Sequence, residues 1–558
     1  MPAAILLFSL ALIFADCFLL FGYLNAFAIA ASFGVASGLA LLAHRGQLLA
    51  DPAAPSTGKF HFRITILIPI LAALLGLIGA LRLLWKFRIW ESVQSPFEQL
   101  PPVIFFVLAL GLFGALTVWL LRSKFSQATG SLALFVFLGL LALCFPLTYG
   151  FDPLLHQAAE KAVLATGAIS TIPILYGGLY ALVASLGSIL PVSIAQIDRF
   201  LVPTLAALCL PMIAPWPVWL LAPLGFFTLT TPFSLAAILF LVVLHLAVFS
   251  DRKKQIWLGV PVAVAAILAH PLAGIPALFV LCAGFFKNKI AVAACLLLQT
   301  LAIPGLLFFR SFQSGQPAQV TWSPAQLLKL LPDFKLETTY RVFQDLAYLS
   351  GAAIAAIFVI ALGSKIYHSW REQKVWLPLT IAFSLILSGA ALQFLTLPEI
   401  IYYEQGEFGA RLVWLAMIVL IMVAAEPIAK KLRQQFTTEP RLIAITALIS
   451  FTILAACNWY LIYPRRDRHE VNHGWNASMF DFKAAEIVTQ DAIEPFVLLA
   501  PQTNSAAFIQ AYGFPETLSF DDTEILPYPL PTGGKLYPYF LEMSSSPSVD
   551  TLRKVRML

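Results

Sequence analysis

Asp152 and His156 stand four residues apart in "TYGFDPLLHQAAEKAVLATGAIST", the stretch from Thr148 to Thr171. At that spacing a carboxylate and an imidazole share one face as soon as a helix has begun. Together they make a general base for a hydroxyl, or half of a site for a divalent ion such as Mg or Mn. Gly150 keeps the backbone open ahead of them, Pro153 suits a first helical turn, and Gly167 ends the amphipathic run. The plainer alternative is that Asp152 only caps that helix.

A second polar cluster, "EIIYYEQGEFGARL", holds Glu399, Tyr402, Tyr403, Glu404, Glu407 and Arg411. A guanidinium at the start of an apolar segment can grip a lipid phosphate with two parallel hydrogen bonds, or pair with the Glu407 carboxylate. Tyr402 and Tyr403 can stack on a sugar or sit in the aromatic belt of a membrane interface. His270 in "AHPLAG" stands beside Pro271 at a hairpin tip, either as a ligand or as a polar contact that holds the bend. Arg310, Lys329, Lys335 and Arg341 make segment 310–349 basic, suited to an anionic lipid head or simply to water.

The elements that must position these groups are apolar. Hydrophobic residues make up 60% of the 558, charged residues 11%, and the mean hydropathy is +0.85. Soluble domains carry roughly 25% charged residues, so the chain reads as a polytopic membrane protein, and its net charge of +6 does not indicate nucleic acid. All six cysteines fall in apolar segments, which favours structural thiols over a disulfide framework. The N-terminus lacks a basic leader and reads as a retained first span.

With about 20 apolar residues per crossing, the chain divides into about 13–15 spans. They include 131–148, 174–190, 200–222, and the short pair 257–269 and 272–286 around "AHPLAG". Connections rich in Lys and Arg, such as "DRKK" and "KKLRQQFTTEPR", alternate with neutral, acidic or long ones. By the positive-inside rule the basic set faces the cytoplasm. That puts the N-terminus, and the neutral connection "IAQIDRF", on the cytoplasmic side. Asp152, His156, Glu404, Glu407 and the C-terminal tail then face outward across an inner (plasma) membrane.

The resulting organisation has four parts: N-terminal spans (1–148), an outward loop with a surface helix (149–173), a helical core (174–463) with outward loops 310–349 and 397–411, and a polar tail (464–558). In the tail, Ser478 and Asp481 form a capping-box pattern for a helix over "FDFKAAEIV". "PFVLLA" reads as a buried strand, Asn504 or Ser505 as the cap of a second helix ended by Gly513, and the remainder as a loop and two short helices. The fold class is therefore an α-helical polytopic membrane protein with a small extracytoplasmic α/β domain. Asn476-Ala-Ser478 matches a glycosylation sequon, but carries no weight in a tail of bacterial character.

Gly150, Asp152, His156 and the Gly167–Ile169 turn resemble the first outward loop of the GT-C superfamily of membrane glycosyltransferases. The many spans, long outward loop and outward C-terminal domain resemble its plan as well. The tail stretches "VLLAPQTNSAAFIQAYGF" and "YPLPTGGKLYPYFLEM" are similar to those of uncharacterised bacterial multi-span proteins of that type. The resemblance implies transfer of a sugar from a polyprenyl-phosphate lipid, with Asp152 as base, His156 supporting it or joining a metal, and Arg411 facing the leaving phosphate. The chain departs from the family in having a single acid, Asp152, with Tyr149 and Phe151 ahead of it, where metal-holding members show two. The acid also follows about five spans instead of one.

Two other classes stay open. A lipid or polysaccharide transporter or flippase would carry ionisable groups within spans; Asp16, His245 and Glu426 are the candidates, without an internal repeat. A catalytically inactive scaffold would use the tail as a binding module. The donor sugar, the acceptor and the oligomeric state are not legible.

Overall fold

The computed structural model describes residues 2–20, 23–48, 64–123, 125–168, 176–250, 253–286, 288–313, 318–320, 342–397, 402–467, 470, 472, 474–492, 496–520, 523–530 and 534–556. Nine of the described helices are long and apolar enough to cross a bilayer, and six apolar helices are shorter. This is the architecture of an α-helical polytopic membrane protein. Large apolar side chains such as Leu75, Phe106, Ile290, Ile360 and Leu442 are exposed on these helices, as a surface facing lipid tails requires.

The first helices are α1 (Pro2–Leu20), α2 (Ala26–Leu48), α3 (Ile64–Lys86), α4 (Val103–Leu120), α5 (Ser126–Leu138) and α6 (Leu140–Cys144). The expected span 131–148 is thus two helices broken at Gly139. α3 and α4 approach closely because glycine lines their contact: a Cβ on Gly76 would lie 2.2 Å from the Gly111 amide nitrogen. Small residues at a helix crossing are how membrane helices gain dispersion contact without a hydrophobic driving force.

α7 (Asp152–Thr166) follows, then α8 (Gly177–Ile189), α9 (Ile194–Ile213) and the single turn α10 (Trp216–Trp219). α7 ends where expected, at Gly167 with φ +72°, a left-handed cap that lets its amide bond the Val163 carbonyl. Of the next two expected crossings, 174–190 holds only the 13-residue α8, shorter than a span, while 200–222 is met in part by the 20-residue α9. Arg199 Nη1 donates to the carbonyls of Phe145 (3.1 Å) and Pro146 (2.7 Å), so "IAQIDRF" lies at the α7 end of the bundle, not the opposite one. The Val202 amide donates to Thr230 Oγ1 at 3.2 Å, so after α9 the chain is back at that level by Thr230. Pro215 and Pro217 stop α9 from continuing. A short helix therefore stands where one full span is expected, and the chain beyond α9 returns as a broken excursion.

The core continues with α11 (Pro232–Leu244), α12 (Gly259–Ala269), α13 (Pro271–Phe285), α14 (Lys289–Gln313), α15 (Val342–Ser369), α16 (Gln373–Gln393), α17 (Tyr402–Thr438) and α18 (Arg441–Leu461). α12 and α13 are the short pair expected around "AHPLAG". Most of the expected outward loop 397–411 is helical, because α17 begins at Tyr402. Residues 321–341 of the other long loop lie outside the described residues. A two-residue ribbon, β1 (Gln319–Val320) with β2 (Leu395–Thr396), joins that loop to the end of α16.

In the tail are α19 (Met479–Asp491), α20 (Gln502–Tyr512), the antiparallel pair β3 (Leu518–Phe520) and β4 (Thr523–Ile525), α21 (Tyr537–Ser545) and α22 (Val549–Arg556). Ser478 and Asp481 form the expected capping box. The expected strand is absent from the described part of "PFVLLA", Phe496–Ala500, and α20 is preceded by Pro501, not capped by Asn504 or Ser505. No α/β sandwich is found among the described tail residues; the tail is helical with one small ribbon.

Candidate functional site

The tail rests on the segment between α3 and α4 and on α7. Asn476 is the main anchor: its side chain accepts from the Val93 amide (2.7 Å) and donates to the Glu91 carbonyl (2.9 Å). This buried asparagine is structural, which accounts for the sequon residue without a sugar. Asn472 Nδ2 donates to Tyr149 Oη at 2.6 Å, and Tyr149 donates to the Gln94 carbonyl at 2.5 Å. Ala158 on α7 packs with Phe508, Ile509, Tyr528 and Leu530 of the tail. Lys161 donates to the Gln510 carbonyl at 2.8 Å.

α7 thus has a tail-facing side and a bundle-facing side. On the bundle side, His156 Nδ1 is 2.9 Å from the Tyr180 hydroxyl of α8. Its ring also lies edge-on to Tyr176, centroids 6.1 Å apart, and Tyr176 stacks on His270 at 5.2 Å. His270 meets Phe233 edge-on at 5.7 Å, and the Arg411 guanidinium lies 5.5 Å from the same Phe233 ring. Residues distant in sequence, His156, His270 and Arg411, therefore share one cluster at the α7 end of the bundle.

Each member has a defined local role. Burial, and then the nearby Arg411 charge, push the His156 imidazole down to about 4, so it is neutral at physiological pH. His270 Nδ1 accepts from the Leu272 amide at 3.1 Å and caps α13, the bend-holding contact. Arg411 Nη2 pairs with Glu407 Oε2 at 2.6 Å, one helical turn apart on α17. Asp152 is the exposed first residue of α7 and lies in the helix, where Phe151 takes the capping position. The side chains of Tyr402, Tyr403 and Glu404, and all of Glu399, lie outside the described residues. Among the described residues no group of three His, Cys, Asp or Glu could hold a metal ion. The six cysteines are free thiols.

Glu160, Asp198, Tyr176, Tyr180 and Phe233 went unnoticed as site residues in the sequence. Glu160 lies one turn beyond His156 and is wholly buried, and Asp198 of α9 is buried beside it. Gln157 Nε2 donates to Asp198 Oδ2 at 3.1 Å, while its own Oε1 accepts from Gln510 of the tail at 3.2 Å. The usable signal was the capping box of Ser193 with Gln196, which starts a helix before Asp198 and moves that charge out of a loop. Comparison with protein-family models, with curated proteins and with solved structures finds nothing that matches this chain.

Proposed function

We propose that the chain is an integral membrane glycosyltransferase that moves a sugar from a polyprenyl-phosphate donor to an acceptor hydroxyl on the extracytoplasmic side. In this reading the acceptor oxygen attacks the anomeric carbon and passes its proton to the Asp152 carboxylate. The bond from that carbon to the phosphate oxygen breaks, and polyprenyl phosphate leaves with its negative charge beside Arg411. Neutral His156 offers a hydrogen bond that orients the acceptor without adding a second positive charge. A fixed cation placed where charge develops needs no reorganisation during the reaction, which is why such groups lower barriers.

The observation that carries this reading is the convergence of His156, His270 and Arg411 at the bundle end where α7 presents Asp152. The test is transfer from polyprenyl-phosphate sugars in membranes containing the wild type, Asp152→Asn and Asp152→Ala at equal protein levels. Loss of transfer in both variants is expected; full transfer in both removes Asp152 from the mechanism. A transporter is the second reading, favoured by the buried carboxyls of Asp16, Glu160 and Asp198. Lipid translocation without any transfer by the wild type would select it.

A further inference from the structure

Glu160 and Asp198 form a carboxyl pair in a dry site. Glu160 is 0% exposed and Asp198 1%. Among the described residues, neither Glu160 oxygen meets a nitrogen or hydroxyl donor, and Asp198 Oδ1 meets none either. Glu160 lies one helical turn after Gln157, whose amide bonds Asp198, so the two buried carboxyls sit side by side with no donor between them. Two ionised carboxylates have no hydrogen to share, so such a contact requires a proton on one of them. Asp198 Oδ2 already accepts from Gln157 Nε2, which suits an ionised acceptor. Glu160, with no donor of its own, is left as the protonated partner.

We propose that Glu160 and Asp198 are a proton-binding site, with Glu160 donating one shared proton to the Asp198 carboxylate. The site also reaches the tail. Because Asp198 accepts from the amide nitrogen of Gln157, the amide oxygen is turned toward Gln510, which donates to it. The Asp198 carboxylate thereby fixes the orientation of the amide on which α20 is seated. This holds whether or not the chain transfers sugar.

Among the described residues, the surroundings supply no cation to replace the proton. From α8 the titratable group bearing on the pair is Tyr180, whose hydroxyl is engaged by His156. From α9, Arg199 follows Asp198 but donates to the Phe145 and Pro146 carbonyls. On α7 itself, Lys161 is engaged by the Gln510 carbonyl and His156 is neutral. From the tail, α20 brings Tyr512, and on the neighbouring α19 Lys483 pairs with Glu486 while Asp481 caps the helix. Burial, and then the Asp198 charge, hold the Glu160 carboxyl well above the usual range.

The experiment uses the full chain in lipid nanodiscs. The infrared C=O stretch of a buried protonated carboxylic acid is recorded near neutral pH for wild type, Glu160→Gln and Asp198→Asn. Thermal unfolding of wild type and Glu160→Gln is followed across pH. The expected result is a carboxylic-acid band lost in Glu160→Gln and kept, shifted, in Asp198→Asn. The folded pKa of Glu160 lies above its unfolded one, so its stabilisation is complete below the ordinary carboxylate range and is lost as pH rises. Wild type should accordingly lose ground to Glu160→Gln as pH is raised. A carboxylic-acid band left unchanged by Glu160→Gln, or parallel unfolding profiles for the two proteins, would overturn the proposal. Should Glu160→Gln not fold, absence of the band from both wild type and Asp198→Asn does so as well.

Discussion

Asp152 and Glu160 lie two turns apart on α7, yet the first is exposed at the helix start and the second is wholly buried between α7 and α9. Water solvates an exposed carboxylate, and the partial positive charge of a helix N-terminus favours it further. In a dry site ionisation has a large desolvation cost, so the proton stays on unless a cation compensates. The same residue class on one helix is thus suited to accepting a proton at one end and to keeping one at the other. Position along α7 decides which, because Asp152 opens the helix with its side chain exposed while the tail and α9 enclose the helix's middle.

The strongest way to break this contrast is to remove the partner of the buried acid. Asp198→Ala removes the acceptor from both Glu160 and the Gln157 amide, and a buried donor left unsatisfied typically costs about 1–3 kcal/mol. Thermal unfolding in detergent should show that loss; a change under about 0.5 kcal/mol, ordinary for surface positions, would mean the pair is not coupled.

A milder cut is Gln510→Ala, which removes one neutral hydrogen bond at the tail seat and should cost about 1 kcal/mol. Hydrogen exchange confined to α20 should rise, and unchanged exchange would detach the tail from the acid pair.

Arg411→Gln sharpens the other side of α7. The His156 pKa should rise, but only partly, since burial comes first among the causes of its depression. NMR titration of the labelled imidazole reads this, and an unmoved value would place Arg411 outside its electrostatic reach. Asp152→Asn should change stability least, by under about 1 kcal/mol, the scale of an exposed charge at a helix start. A large unfolding penalty there would show Asp152 to be structural.

His156 and Glu160 also give α7 two opposed pH dependences. The folded His156 pKa is depressed, so its contribution is present above the ordinary imidazole range, about 6.5, and is lost as pH falls toward about 4. Glu160 acts in the other direction, losing stability as pH rises. A His156→Gln variant should therefore resist acid better than wild type, and Glu160→Gln should resist alkali better.

Local chemistry was readable before any contact was known. The amphipathic run from Asp152, the left-handed stop at Gly167, the break at His270-Pro271 and the Ser478 capping box each depend on a few adjacent residues, and each appears where the pattern predicts. The "PFVLLA" strand failed for a different reason. An apolar run does not choose between strand and irregular chain without a partner strand to pair with, and here the described part of that run packs onto α20 instead. "IAQIDRF" was misplaced because a span count assumes that every apolar stretch crosses. Here the 13-residue α8 is shorter than a crossing, and the Arg199 contacts hold the start of α9 at the α7 end.

By itself the sequence determined the membrane environment, the helical class and the start and stop points of most elements, since hydropathy, caps and prolines act over a few residues. Only the tertiary structure decided which polar groups meet. His156, His270 and Arg411 are brought together by the meeting of α7, α8, α11, α13 and α17, and Glu160 finds Asp198 because α9 begins beside α7. The reason is that a carboxyl's protonation depends on the water and charges around it, which are set by neighbours far away in the chain.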